Sequence, residues 1–160
     1  IGFRTTFMTE TRGTGIANSY GIELRPWAGE IKGRSSGSLV ADRSGKITAF
    51  ALQGLSDRGS FFVEPGTEAY EGMVVGANNR EEDMDVNITK EKKLTNMRAA
   101  SADTTVTLAK AQALSLDEAM EFCGQDECVE VTPDVLRVRK LHLGATERAR
   151  ARSREKNLNK

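Results

Sequence analysis

Ser38-Leu39-Val40-Ala41-Asp42-Arg43-Ser44-Gly45-Lys46-Ile47-Thr48-Ala49-Phe50-Ala51-Leu52, residues 38–52, is the stretch on which the fold class turns. Two apolar runs, Ser38 to Ala41 and Ile47 to Leu52, flank Asp42-Arg43-Ser44-Gly45-Lys46. The glycine there supplies the positive φ of a tight turn, so the stretch predicts a hairpin. The same pattern extends on both sides. Gly29, Gly33, Gly37, Gly54, Gly59, Gly66, Gly72 and Gly76 cut the chain up to about Val106, with apolar runs Phe61 to Val63 and Met73 to Gly76 between them. Short runs separated by turn signals every 8 to 12 residues or so predict a small β-barrel or sandwich. Glu64-Pro65-Gly66-Thr67 has the chemistry of a type II turn.

Towards the start, Phe3, Phe7 and Met8 have helical spacing, and Arg12-Gly13-Thr14-Gly15 ends that helix. Ile16, Tyr20, Ile22 and Leu24 then read as a strand running into Pro26 and Trp27. Towards the end, Ser115-Leu116-Asp117-Glu118 is a capping box opening a helix to about Phe122, stopped by Gly124. Val129, Val131, Val135, Leu136, Val138 and Leu141 predict a strand pair broken at Thr132-Pro133-Asp134. After Gly144 the chain is Ala, Arg and Glu with no apolar face, a solvated helix or disorder. The fold class is therefore α+β, predominantly β, with one capped helix.

The chain has 160 residues, 38% of them hydrophobic, enough for a core of one domain or a little more. No apolar run approaches the roughly 20 residues of a membrane span, so no membrane is expected as a partner. Two cysteines cannot make a disulfide framework, one histidine cannot anchor an ordinary zinc site, and a reducing cytoplasmic location is expected. Ile1 stands where Met would, with no signal-peptide pattern, so a piece of a longer protein is expected. The 23 Lys and Arg balance the 23 Asp and Glu, but residues 137–160 hold nine cations against Glu147 and Glu155. An acidic body with a basic tail suits a nucleic-acid partner, or a merely solubilising tail.

Enzyme chemistry finds little support. Gly45-Lys46 lacks the earlier glycine and the following Ser or Thr of a phosphate-binding loop, and His142 has no carboxylate or Cys at triad or ligand spacing. Cys123 and Cys128 read as small buried hydrophobes, Glu81-Glu82-Asp83 with Asp85 as a solvated turn, and Asp57-Arg58-Gly59 as a structural ion pair. No catalytic residues, no metal site and no cofactor are expected in this stretch.

The strongest local feature is Lys90-Glu91-Lys92-Lys93-Leu94-Thr95-Asn96-Met97-Arg98-Ala99-Ala100-Ser101. Lys90, Lys92, Lys93 and Arg98 can meet phosphates, while Thr95 and Asn96 can bond sugar or base edges. From the residues alone this is a nucleic-acid loop or an ordinary basic loop.

Lys92 to Ala99 closely resembles the KKLTNMRA signature of the TypA/BipA family of translational GTPases. Arg12-Gly13-Thr14-Gly15, Gly29-Glu30-Ile31, Asp57-Arg58-Gly59, Tyr70 to Gly76, Leu116 to Phe122 and Val129 to Pro133 fall in the family's order. The chain departs from the pattern at Arg34-Ser35-Ser36-Gly37, Asn78-Asn79-Arg80 and Ala109-Lys110-Ala111. The resemblance implies that residues 1–27 end a ferredoxin-like unit similar to domain V of elongation factor G. Residues 28–143 would then be the family's own C-terminal domain, and 144–160 a basic tail. It implies a ribosome-bound, monomeric, cytoplasmic factor linked to stress response. Lys90, Lys92, Lys93, Thr95, Asn96 and Arg98 would contact large-subunit ribosomal RNA and the acceptor end of A-site tRNA. GTP and magnesium would belong to a GTPase domain upstream, so this stretch itself would not be an enzyme. The competing expectation is a protein-interaction β-domain with a solubilising tail.

Overall fold

The computed structural model describes residues 3–27, 29, 34–92 and 108–158. Along the chain it forms α1 (Phe3–Glu10), β1 (Ser38–Ala41), β2 (Gly45–Lys46), α2 (Ala49–Gly54), a 3₁₀ turn (Ser56–Arg58), β3 (Gly59–Phe61) and β4 (Glu68–Ala69). There follow β5 (Met73–Asn78), β6 (Met84–Val86), α3 (Leu116–Phe122), β7 (Glu127–Val131), β8 (Leu136–Lys140) and α4 (Ala145–Leu158).

β5 organises the sheet, whose order is β6-β1-β5-β8-β7. One edge of β5 pairs antiparallel with β1, and the other pairs first with β8 at Met73 and Val74, then with β3 at Gly76 to Asn78. The β1–β5 register slips between Leu39 and Val40, next to that change of partner. β1 also pairs in parallel with β6.

Side chains alternate across a strand, so Leu39, Ala41, Met73 and Val75 share one face with Ile47, Leu52, Val86 and Ile88. Val40, Val74 and Val138 share the other with Ala119 of α3. Both faces of the central strands are covered, which is why β1 reads as a continuous apolar run. Each such Leu or Val contributes roughly 1.5–3 kcal/mol by leaving water. The sheet is open rather than a closed barrel, and the α+β, mainly β, sandwich-like class stands.

Several local expectations match. Gly66 has φ +90° and the Thr67 N–H donates to the Glu64 carbonyl at 3.3 Å, as a type II turn needs. The Ser115 hydroxyl accepts from the Glu118 N–H at 3.3 Å and the Ser115 N–H donates to the Glu118 carboxylate at 2.8 Å, completing the capping box. β7 and β8 form the hairpin, with Thr132 and Val135 closing its turn.

Three expectations are corrected. β1 and β2 do not form a hairpin: β2 pairs with β4, because the edges of β1 are taken by β5 and β6. Residues 49–54 are helix rather than strand, since the Thr48 hydroxyl accepts from the Ala51 N–H at 3.1 Å and caps α2. The stretch after α1 is extended but joins no sheet among the described residues. Ile16, Tyr20, Ile22, Leu24 and Trp27 are at least 80% exposed there, since no strand edge lies alongside to pair with them.

Candidate nucleic-acid interface

Thr48 fixes where the basic run leaves the fold. Its hydroxyl, besides capping α2, donates to the Lys90 carbonyl at 2.6 Å, and its N–H donates to the Ile88 carbonyl at 3.0 Å. Ile88 is fully buried, and Asn87 Oδ1 accepts from both the N–H and the hydroxyl of Thr89 at 3.1 Å, which tightens the turn between them. Lys90 and Lys92 are exposed, and Lys90 Nζ lies 6.0 Å from the centroid of the Phe50 ring, at the outer limit of a cation–π contact. Lys93, Thr95, Asn96 and Arg98 lie outside the described residues. On the far side, Leu108 packs on the core and the Gln112 N–H donates to the Phe61 carbonyl at 2.8 Å. The described residues on either side of 93–107 are thus tied to the body, Lys90 to the cap of α2 and Gln112 to β3.

The largest charged cluster was not expected from the sequence. Lys140, read there as part of the basic tail, is 0% exposed. Its Nζ donates to Asp83 Oδ2 at 2.6 Å and to both Asp126 oxygens at 3.0 Å, and lies 2.8 Å from Glu127 Oε1. Glu127 also accepts from the Ser38 hydroxyl at 2.5 Å, the Gly124 N–H at 2.8 Å and Arg34 Nη1 at 3.1 Å. Arg34 in turn donates to the Phe122 carbonyl at 2.7 Å and stacks 4.0 Å from the Phe122 ring centroid. Burial alone would raise the pKa of Asp83 and Glu127, but bonds from Lys140 and from Ser38 outweigh it and hold both below the usual carboxylate range. Burial would likewise lower Lys140, but Asp83, Glu127 and Asp126 hold it above its ordinary value. The signal lay in β8, where Val138 and Lys140 share the core face at a spacing of two.

The acidic turn is corrected accordingly. Asp83 bonds Lys140, the Ser38 N–H and Arg152, and Asp85 bonds Arg148. The tail is helical and is not wholly solvated: Arg148 is buried and also donates to the Leu143 carbonyl, while Arg152 reaches Asp83 at 2.5 Å. Arg150, Arg154 and Lys156 of α4 are exposed. Asp57 and Arg58 form no ion pair with one another; their carbonyls accept from Asn79 instead. Cys123 and Cys128 are half-buried free thiols, and burial, with Glu127 nearby, pushes the Cys123 thiol pKa up. His142 is exposed, as expected.

Gly45 and Lys46 form β2 opposite Ala69 and Glu68, so they do not make the loop that would cradle GTP phosphates with magnesium. Among the described residues, no cluster of three His, Cys, Asp or Glu side chains is placed to hold a metal ion, and no helix is long and apolar enough to cross a membrane.

Residues 36–145 match the TypA/BipA C-terminal domain. The chain is 46% identical over 157 residues to the large ribosomal subunit assembly factor BipA of Bacillus subtilis, covering 98% of this chain and 26% of that protein. It is 46% identical over 159 residues to the factor of the same name from Salmonella typhimurium, with the same coverage of each chain. To that of Synechocystis it is 43% identical over 141 residues, 88% of this chain and 24% of the relative. The chain thus spans about a quarter of the length of these relatives.

Proposed function

The chain belongs to the TypA/BipA C-terminal domain family, and from that premise we propose that it is the ribosome-binding part of a cytoplasmic translational GTPase linked to stress response, acting as a monomer. Lys90, Lys92, Lys93 and Arg98 contact phosphates of large-subunit ribosomal RNA and of the A-site tRNA acceptor end, and Thr95 and Asn96 bond sugar or base edges. Residues 1–27 close an upstream unit, 28–143 form the domain proper, and 144–160 are its basic extension. GTP binding and hydrolysis fall to another part of a longer protein.

The observation that carries this reading is the tethering of the start of the basic run, by Thr48 at Lys90, with the chain held again beyond it by Gln112 at Phe61. A cationic run of this composition gains little by packing and is suited to a polyanion, and a fixed base sets where it is presented. The relatives' names, large ribosomal subunit assembly factors, support the ribosome as the polyanion. The alternative, an interaction domain with a solubilising tail, is weakened by Arg148 and Arg152, which bond to Asp85 and Asp83 rather than to water alone.

Ribosome sedimentation at two salt concentrations tests it. The parent pellets with ribosomes, more at low salt, and Lys92→Ala/Lys93→Ala/Arg98→Ala pellets less while its circular dichroism is unchanged. Equal pelleting of a folded triple variant at both salts overturns the loop as the contact.

A further inference from the structure

A cavity of about 290 Å³ opens between the 3₁₀ turn and the β5–β6 connection, lined by Asp57, Arg58, Asn78, Asn79, Arg80 and Met84. Its backbone is held on several sides. The Asn79 N–H donates to the Arg58 carbonyl at 2.8 Å, Asn79 Nδ2 donates to the Asp57 carbonyl at 3.2 Å, and the Gly37 N–H donates to the Arg80 carbonyl at 2.6 Å. Gly59, which follows Arg58, pairs with Asn78 so closely that a Cβ there would lie 1.8 Å from the Ala77 carbonyl oxygen. The approach fixes the two loops against each other. Arg58, Asn79 and Arg80 are exposed at the mouth. Among the described residues neither guanidinium pairs with a carboxylate, although many other arginines in the chain do.

Two guanidiniums carried on one braced backbone frame repel when they point to the same mouth, and an anion seated between them relieves that repulsion while offering the bidentate geometry that arginine favours. Asn79 Nδ2 is engaged by Asp57, so its Oδ1 is left as an acceptor, suited to a hydroxyl rather than to a phosphate oxygen. Half-buried Met84 adds an apolar wall. Asp57 opposes an anion and leaves the lining at a net charge of one positive unit. The volume is at the lower end of small-ligand pockets, enough for about one nucleotide unit.

We infer that this cavity is a second RNA-backbone site, in which Arg58 and Arg80 grip one phosphodiester and Asn79 Oδ1 accepts from the adjoining ribose 2′-hydroxyl. That the phosphate belongs to RNA rests on the ribosomal reading above; the charge, the cavity and the bracing do not.

The test is fluorescence anisotropy of a labelled single-stranded RNA octanucleotide titrated with the 160-residue chain at two salt concentrations. Amide shifts of Asn78, Asn79 and Arg80 are followed in parallel. Arg58→Gln/Arg80→Gln, whose side chains make no bond among the described residues, weakens binding about tenfold, the effect expected from losing charge-assisted contacts at an exposed site. It also lowers the salt slope by about one unit. Asp57→Asn tightens binding, and a DNA octanucleotide of the same sequence binds more weakly than RNA. The inference is overturned if the double variant binds like the parent, if Asp57→Asn fails to tighten, or if inorganic phosphate shifts the same amides at the same concentration as RNA. The loop variant Lys92→Ala/Lys93→Ala/Arg98→Ala separates the two readings. Should only that variant lose RNA, this site is wrong and the ribosomal loop stands. Should ribosome sedimentation ignore the loop variant while the double variant loses RNA, the loop is wrong and this site stands.

Discussion

Lys140 shows what a single misplaced charge would do. Its ammonium is the only cation bonded to all three of Asp83, Asp126 and Glu127 among the described residues, and Glu127 has no exposed side-chain surface. Lys140→Ala leaves those three carboxylates with only Arg34 and half-exposed Arg152 to offset them, at a cost of about 3 kcal/mol, the lower end for breaking a buried pair. In a urea-unfolding cycle, Lys140→Ala/Glu127→Gln is destabilised by less than the two single changes combined, because the second change removes one of the negative charges that the first left without its central cation. A pH dependence follows from the same residues. Asp83 and Glu127 have folded pKa values below their unfolded ones, so their stabilisation is complete above about pH 4–5 and is lost as pH falls through the lowered values. Lys140 has a folded pKa above its unfolded one, so its stabilisation is complete below about pH 10 and is lost as pH rises through the raised value. Urea midpoints therefore form a plateau between these limits in the parent and decline less steeply on the acid side in Glu127→Gln.

Among the elements, α4 has the weakest apolar claim on the fold. Its sequence has no apolar stripe, Leu158 is 84% exposed, and its ties to the body run through Arg148 to Asp85 and Arg152 to Asp83. The pair of half-exposed Arg152 with Asp83 is screened when the Debye length shrinks to about 3 Å at 1 M salt, and that of buried Arg148 with Asp85 less so. Raising salt from 0.1 to 1 M is expected to reduce helical circular dichroism while the amide resonances of β1 and β5 stay put; unchanged ellipticity would mean that α4 is held by something other than charge. The extended stretch 14–27 makes a separate prediction. Trp27 is the chain's one tryptophan and is 80% exposed, so acrylamide quenches its fluorescence nearly as fast as that of free tryptophan, whereas a strand docked in a sheet would protect it.

These elements also show where the sequence was legible. Ser115 with Glu118, Pro65 with Gly66, and the β7–β8 hairpin are set by residues within a few positions, and each was readable. The partners of β1 lie 30 to 45 residues away along the chain, and period-two patterning marks a strand without naming its neighbour, so the false hairpin at 42–46 followed. Ile47 to Leu52 is apolar but for Thr48, and periodicity over so short a run cannot separate a short helix from a buried strand; Thr48 as a cap is the sign of the helix. The basic run at 90–98 was legible from charge and from its resemblance. Lys140 was not, because a lysine near other cations reads as surface although its place in β8 is a core position.

For the whole molecule, a net charge of zero is the sum of separated parts that the fold partly cancels. Of the nine cations in residues 137–160, Lys140, Arg148 and Arg152 are bonded to Asp83, Asp85, Asp126 and Glu127, so the contrast between body and tail is smaller in space than along the chain. With no overall field to steer a polyanion, affinity must come from local patches, and the salt dependence then counts phosphate contacts rather than net charge. The six cations proposed as RNA contacts are Lys90, Lys92, Lys93 and Arg98 of the loop with Arg58 and Arg80 of the cavity. With one phosphate for each of the four loop cations and one shared by Arg58 and Arg80, at about 0.7 per phosphate for single strands, they set a slope near −3.5 for log affinity against log salt. Removing Lys92, Lys93 and Arg98 should bring that slope to about −1.4, and removing Arg58 and Arg80 as well should leave little more than the contribution of Lys90, about −0.7. Anisotropy titrations with single-stranded RNA across 50 to 300 mM salt measure all three slopes. A parent slope near zero would show that the patches do not meet phosphate, whereas a slope that stays near −3.5 in the quintuple variant would move the contact to Arg150, Arg154 and Lys156 on the outer side of α4.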